Sequence, residues 1–174
     1  MSRTDLKIAL IAGTGVDEMI GFASSRAEAI TTRFGTADVA LGEIDGVPLV
    51  FVPRHGADHS VPPSRINYRA QMAALKKLEV DRIIGVAAVG SLRPDLPGGA
   101  FAILGDFIDL TKRRVDTFFD DPAGPVVHTD FTRPYCPEVS SALAGACKRV
   151  DVEYVRDAIY VCTEGPRYET PAEV

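Results

Sequence analysis

Long apolar runs are missing from this sequence, and so is any excess of positive charge. No stretch approaches the roughly 20 apolar residues that a membrane helix needs. The short run Ile8 to Ala12 is too brief for a signal-peptide core and has no cleavage site after it, so a cytoplasmic protein is expected. The formal charge is −5, from 19 basic and 24 acidic residues. That balance disfavours nonspecific binding to nucleic acid or to an anionic membrane surface. Any anion the protein holds must be held by a local site. Cysteine is scarce: Cys136, Cys147 and Cys162 are odd in number and show no CxxC spacing. They fit reduced core thiols better than disulfides or zinc ligands. Repeats, low-complexity tracts and linkers are also absent. With 174 residues, 46% of them hydrophobic and 25% charged, the chain reads as one soluble domain spanning 1–174.

The elements that are present alternate. Leu6 to Ala12 reads as a buried strand running into Gly13-Thr14-Gly15. Val39 to Ile44 and Val47 to Val52 flank Asp45-Gly46, a strong hairpin signal. A polar, proline-rich loop runs from Pro53 to Ser64. Tyr68, Met72, Leu75 and Leu78 recur at steps of four, three and three, which predicts a helix with these side chains on one face. The unbroken apolar run Ile83 to Val89 predicts a strand buried on both sides, ending at Gly90-Ser91. Ala100 to Leu104 predicts another strand, extended by Phe107 and Ile108. Residues 111–137 lack periodicity and carry prolines at 122, 125, 134 and 137. An irregular segment of that length is usually functional or reaches a neighbour. Val139, Leu143, Cys147 and Val150 predict a helix from Pro137 to Val150. Val152 to Val155 and Ala158 to Cys162 read as two short strands around Arg156-Asp157. Strands alternating with helices place the chain in the α/β class. Thr170-Pro171-Ala172-Glu173 has the signature of a helix start, yet the sequence ends one residue later. A helix so short cannot overcome its nucleation cost, so the expectation is a fragment of a longer domain.

Four segments could carry chemistry. Gly13-Thr14-Gly15 can offer backbone N–H groups and a hydroxyl to an anion. It lacks the third glycine of a dinucleotide fingerprint and the Gly-Lys of a Walker loop, and a plain strand-to-loop turn fits it as well. Arg54-His55-Gly56-Ala57-Asp58-His59 supplies a guanidinium whose paired donors suit a phosphate, beside an imidazole. His55 and His59 are spaced as zinc ligands would be on a helix, but Gly56 and the nearby prolines make this a loop, and no metal is expected. Ala87-Ala88-Val89-Gly90-Ser91 lies where an α/β sheet binds ligands, beyond the carboxyl end of a strand; close strand–helix packing explains the small residues equally. In Glu164-Gly165-Pro166-Arg167-Tyr168-Glu169-Thr170, Tyr168 can stack on a sugar or base and Glu169 can accept from ring N–H groups, or simply favour a helix N-terminus. No nucleophile triad or glycosidase carboxylate pair can be assigned.

Six segments taken together resemble the trimeric purine nucleoside phosphorylases, especially the methylthioadenosine and methylthioinosine phosphorylase branch. They are Ile11 to Gly15, Pro53 to Gly56, Pro63 to Ala70 (Pro-Ser-Arg-Ile-Asn-Tyr-Arg-Ala), Ala88 to Leu92, Asp106 to Asp109, and Glu164 to Thr170. Their order matches the family's across almost the whole chain.

The resemblance implies a central mixed β-sheet flanked by helices. It also implies phosphorolysis: inorganic phosphate attacks the anomeric carbon of a purine nucleoside, giving free purine and a ribose 1-phosphate, with no metal or organic cofactor. By position, Thr14, Arg54 and His55 resemble phosphate ligands. Ala87 and Ala88 resemble the strand-end pair that meets phosphate and sugar, although many members carry a hydroxyl residue at the position of Ala87. Tyr168 resembles the aromatic residue packed on the nucleoside. His128 resembles the residue that reaches a neighbouring subunit's sugar site, which would make the protein a homotrimer. Glu169 resembles the glutamate of members acting on 6-oxopurines, where the animal methylthioadenosine enzymes have a small hydroxyl residue. The family's last third would supply a sugar-contacting methionine, a further phosphate hydroxyl and the Asp or Asn at the purine N7. No catalytic residue is therefore assigned here, and this stretch alone is expected to be inactive or weak. Two other readings stay open: a nucleoside hydrolase using water, and a truncated, non-catalytic relative that binds nucleoside or phosphate.

Overall fold

A five-residue apolar strand organises the first half of the molecule. Ile8–Ala12 (β1) lies between Val47–Pro53 (β4) and Arg82–Gly85 (β5), parallel to both. The computed structural model describes residues 6–13, 25–56, 58 and 60–174, and the chain divides into two compact units, Met1–Ala88 and Val89–Val174. In the first unit, Arg26–Thr32 (β2) and Gly35–Ile44 (β3) complete a five-stranded mixed sheet in the order β2-β3-β4-β1-β5. The β2-β3 and β3-β4 pairs are antiparallel.

The β3-β4 hairpin closes through Asp45 and Gly46 with φ of 51° and 74°. Positive φ at both central residues is the two-residue turn whose twist matches the flanking strands, and glycine adopts it without a Cβ penalty. Alternation along the strands then sorts the core. Ala9, Val50, Val52 and Val39 face a helix, Tyr68–Lys77 (α1), through its Ala70, Ala74 and Leu75, while Ala12 and Phe51 form a second cluster with Leu10, Ala40 and Leu49. Fully burying a side chain such as Leu75 or Phe51 contributes about 1.5–3 kcal/mol.

The predicted helix face packs inward, and the structure departs from the sequence reading at two other points in this unit. The helix presents Ala70, Ala74 and Leu75 most deeply, with Met72 and Leu78 only partly buried against the cluster; the alanines let helix and sheet approach. Strand β2 was not expected. It carries Arg26 and Glu28, paired to each other at 2.7 Å, and Ile30 is its one buried side chain, so it lacks an apolar signal. The run Ile83 to Val89 is not a strand buried on both sides. It is strand only through Gly85, it forms one edge of the sheet, and Ile83 is 43% exposed, with Val86 and Val89 exposed as well. Continuous apolarity records a need for cover, and among the described residues of this sheet the strand has a neighbour on one side only.

Helix α1 begins at Asn67, whose side chain accepts from the Ala70 N–H and donates to the Phe34 carbonyl at 2.7 Å. One residue thus caps the helix and ties it to the β2-β3 turn. Lys76 and Lys77 sit in its last turn, where cations suit the helix dipole.

The second unit holds a parallel pair, Phe101–Asp109 (β6) and Tyr154–Cys162 (β7), and the helix Pro137–Arg149 (α2) between them in sequence. The two short strands expected around Arg156-Asp157 are one. Its ladder is interrupted there: Leu104 pairs with Ala158 and Asp106 with Ile159, which leaves Gly105 without a partner, while Asp157 has a φ of 55°. A Cβ on residue 105 would lie 2.8 Å from the Asp157 Cα, closer than carbon atoms pack, so the approach requires glycine. Helix α2 has proline in its first turn and turns Ala144 inward, with Val139, Leu143 and Cys147 partly buried. Residues 110–136 are irregular, as expected. Among the described residues, no helix is long and apolar enough to cross a membrane.

Candidate active site

Three parallel strands end side by side, and the candidate anion ligands follow those ends. Beyond β1, the Ala12 carbonyl accepts the Arg54 N–H at 2.9 Å, and the Ile11 carbonyl accepts the Val86 N–H at 2.8 Å. The backbone just past β4 and just past β5 is thereby laid on either side of β1. The Arg54 side chain closes the gap, with Nη1 donating to the Val86 carbonyl at 3.1 Å. That carbonyl belongs to the peptide unit whose N–H is Ala87's. Arg54, His55 and the Val86–Ala87 peptide are therefore brought together, with Ala87 and Ala88 exposed two and three residues beyond the strand. Thr14 and His59 lie outside the described residues.

His55 is held from both ring nitrogens. Nδ1 contacts the Val61 carbonyl at 2.9 Å, and Nε2 receives the Arg54 Nε–H at 3.4 Å. A carbonyl only accepts and a guanidinium only donates, so the partners specify the tautomer protonated on Nδ1. In that form the imidazole orients the guanidinium. Two of the five guanidinium N–H groups are used by His55 and Val86, and a planar fork with remaining donors is what an oxyanion accepts. Backbone N–H groups at the carboxyl ends of parallel strands are the usual complement. Among the described residues, no group of His, Cys, Asp and Glu is arranged to hold a metal ion.

The second unit carries Tyr168, Glu169 and His128. Beyond β7, Glu164 is an anchor that sequence reading did not single out. Its carboxylate accepts the Lys112 and Arg113 N–H groups and faces Arg114 Nε at 3.6 Å. Arg114 also donates to the Thr163 and Glu164 carbonyls. The start of the irregular segment is thus fastened to the end of β7. The Lys112 and Arg113 N–H groups and the Arg114 charge, the first of these foremost, hold the Glu164 carboxyl below the usual carboxylate range. A depressed folded pKa means that the anchor is complete above the unfolded value of about 4.3 and is lost as pH falls through the lower folded value. The amide resonances of Lys112 and Arg113 are accordingly expected to titrate together, with a midpoint below about 4.3. A midpoint at or above that value would contradict the anchor.

Past Glu164, the Thr163 hydroxyl donates to Glu169 Oε1 at 2.9 Å. One carboxylate oxygen is oriented in this way. The expected helix start forms as a single turn. Thr170 N–H donates to Glu173 Oε2 at 2.8 Å, and Arg167 forks onto both Glu173 oxygens at 2.7 and 2.8 Å. The Arg167 fork, then the Thr170 N–H, pull the Glu173 carboxyl down to about 2. Tyr168 is 93% exposed. His128 is exposed in the irregular segment, and no hydrogen bond among the described residues joins it to Tyr168 or Glu169.

Known proteins resemble this chain in sequence and in fold. The family model described as the phosphorylase superfamily matches residues 7–174. The 6-oxopurine nucleoside phosphorylase of Pyrococcus furiosus is 42% identical over 173 residues, which cover 97% of this chain and 65% of that protein. The S-methyl-5'-thioadenosine phosphorylase of Thermofilum pendens is 41% identical over 170 residues, covering 97% and 64%. Among solved structures, a methylthioadenosine phosphorylase sourced from an Antarctic soil metagenomic library matches with a TM-score of 0.90 at 41% identity, covering 97% of this chain and 60% of that one. The chain spans about 65% of the length of the curated relatives it matches. Because the match runs from Lys7 in the first unit to Val174 in the second, the chain belongs to the phosphorylase superfamily.

Proposed function

We propose that this chain serves the phosphorolysis of a purine nucleoside, with a 6-oxopurine as the preferred base and a 5'-methylthio group tolerated on the sugar. A phosphate oxygen bonds to the anomeric carbon while the carbon–nitrogen glycosidic bond breaks, and that bond's electron pair leaves with the purine. The products are a free purine and a ribose 1-phosphate. The observation that carries this reading is the convergence of Arg54, His55 and the Val86–Ala87 peptide at the ends of three adjacent parallel strands. Arg54 holds the attacking oxyanion, His55 steadies the guanidinium, and Thr14 and the Ala87–Ala88 backbone complete the grip. Positioning of this kind removes much of the entropic barrier to a two-substrate reaction. Glu169 accepts from the ring N–H of a 6-oxopurine, and Tyr168 covers the nucleoside. No metal or organic cofactor enters the reaction. The relatives' names span both base classes, since one is a 6-oxopurine enzyme and another a methylthioadenosine enzyme; Glu169 favours the first.

The irregular segment around His128 belongs to the same proposal. Phe118, Phe119, Val126 and Phe131 are exposed along it, which supports contact with a second copy in a homotrimer, where His128 reaches a neighbouring sugar site. A nucleoside panel decides the function. The natural gene product is expected to cleave inosine, guanosine and methylthioinosine only when phosphate is supplied, releasing the sugar as its 1-phosphate. Equal turnover in phosphate-free buffer would identify a hydrolase instead.

A further inference from the structure

Among the described residues, Gln71 is the one buried polar side chain, 9% exposed, beside Ala70, Ala74 and Leu75 on the inner face of α1. A buried amide is costly unless both of its ends are paired. Here one end is. Nε2 donates to the Arg54 carbonyl at 3.4 Å, and Oε1 is buried with no hydrogen-bond partner among the described residues. Nothing in the packing calls for glutamine, because its neighbours on the helix are alanine and leucine. What calls for it is the Arg54 carbonyl. Arg54 follows the last residue of β4, and its N–H is taken by Ala12, but its C=O has left the strand ladder. The peptide unit containing that carbonyl also contains the His55 N–H, so the bond fixes the plane from which both the guanidinium and the imidazole project. The amide has one workable orientation: turned over, it would set Oε1 against another acceptor.

We propose that Gln71 is a positioning residue for the Arg54–His55 turn, retained at a net cost in stability because it holds this turn in the conformation that grips phosphate. The proposal rests on the reading of that turn as the phosphate site. It predicts an unusual pairing of effects. Gln71→Met fills the same space, removes the orphaned oxygen and removes the donor.

The full chain is compared with its Gln71→Met variant by three measurements: thermal unfolding without phosphate, long-range proton–nitrogen NMR spectra of the histidine rings, and titration with inorganic phosphate. The His55 ring is identified by its loss in His55→Gln. The variant is expected to unfold at the same or a higher temperature. Its His55 ring is expected to leave the single Nδ1–H pattern for a tautomer average, and its phosphate dissociation constant to rise about 5- to 10-fold. An unchanged His55 pattern with unchanged phosphate affinity would overturn the proposal. So would a fall in unfolding temperature with the ring spectrum unaltered, which would make Gln71 a packing residue. If the unaltered chain takes up no phosphate but Gln71→Met still disturbs the His55 ring, the phosphate assignment fails while the positioning role stands.

Discussion

Replacing Arg54 with methionine is expected to raise the phosphate concentration for half-maximal turnover by about 100-fold, with a much smaller change in the nucleoside requirement. Methionine keeps the length and apolar stem of the side chain and removes its charge and donors. A hydrogen bond to a charged group contributes about 1.5–3 kcal/mol, and the guanidinium offers more than one of them to a single oxyanion. Arg54→Lys is the sharper variant. It keeps the charge but cannot donate to the Val86 carbonyl, to His55 and to phosphate from one rigid plane. It should recover only part of the loss. The Val86 bond also fastens the β4 and β5 ends together, so unfolding temperatures must accompany the kinetics. A variant folded as stably as the parent and binding phosphate as tightly would remove Arg54 from the site.

The second large effect concerns the base. Glu169→Gln is expected to reduce kcat/KM for inosine by about 100-fold or more while changing methylthioadenosine little, narrowing the preference between them. A carboxylate only accepts, which matches the N–H at position 1 of a 6-oxopurine and opposes the lone pair that adenine carries there. The amide can donate from one end, so it opposes adenine less and matches the 6-oxopurine less. Thr163 donates to Glu169 Oε1, and its hydroxyl can serve either side chain, so the substitution leaves this local contact available. Both substrates are to be measured side by side with the natural gene product. An unchanged ratio of the two kcat/KM values would show that Glu169 does not read the base.

What the sequence disclosed was mostly local. Asp45-Gly46 announced its hairpin because the turn depends on two residues and their φ values. The Arg54-His55 pair was legible for the same reason, since the two side chains that meet are neighbours in the chain. Contacts across long separations were not legible. Arg54 meets Val86 from 32 positions away, and that encounter is produced by sheet order, which periodicity does not encode. Nothing in the identities of the residues around Gln71 says that it points inward at a carbonyl. Glu164 was passed over beside Tyr168 and Glu169, because its partners are backbone N–H groups, and every sequence has those. The burial of Ile83 was overestimated because apolarity describes a side chain, whereas cover depends on which strands lie beside it.

The interruption opposite Asp157 has a consequence for where the segment proposed to recognise the base begins. Strand β7 leads within six residues from Cys162 to Tyr168, so any slippage between the two parallel strands would carry that segment along by about 3.3 Å per residue. Gly105 blocks such slippage as a key blocks a lock. Only a residue without a Cβ tolerates the protruding Asp157 backbone, and a one-step shift would bring Leu104 or Asp106 against it. The alignment of the pair is therefore set by a missing side chain, and the reach of Glu169 inherits its accuracy from that vacancy.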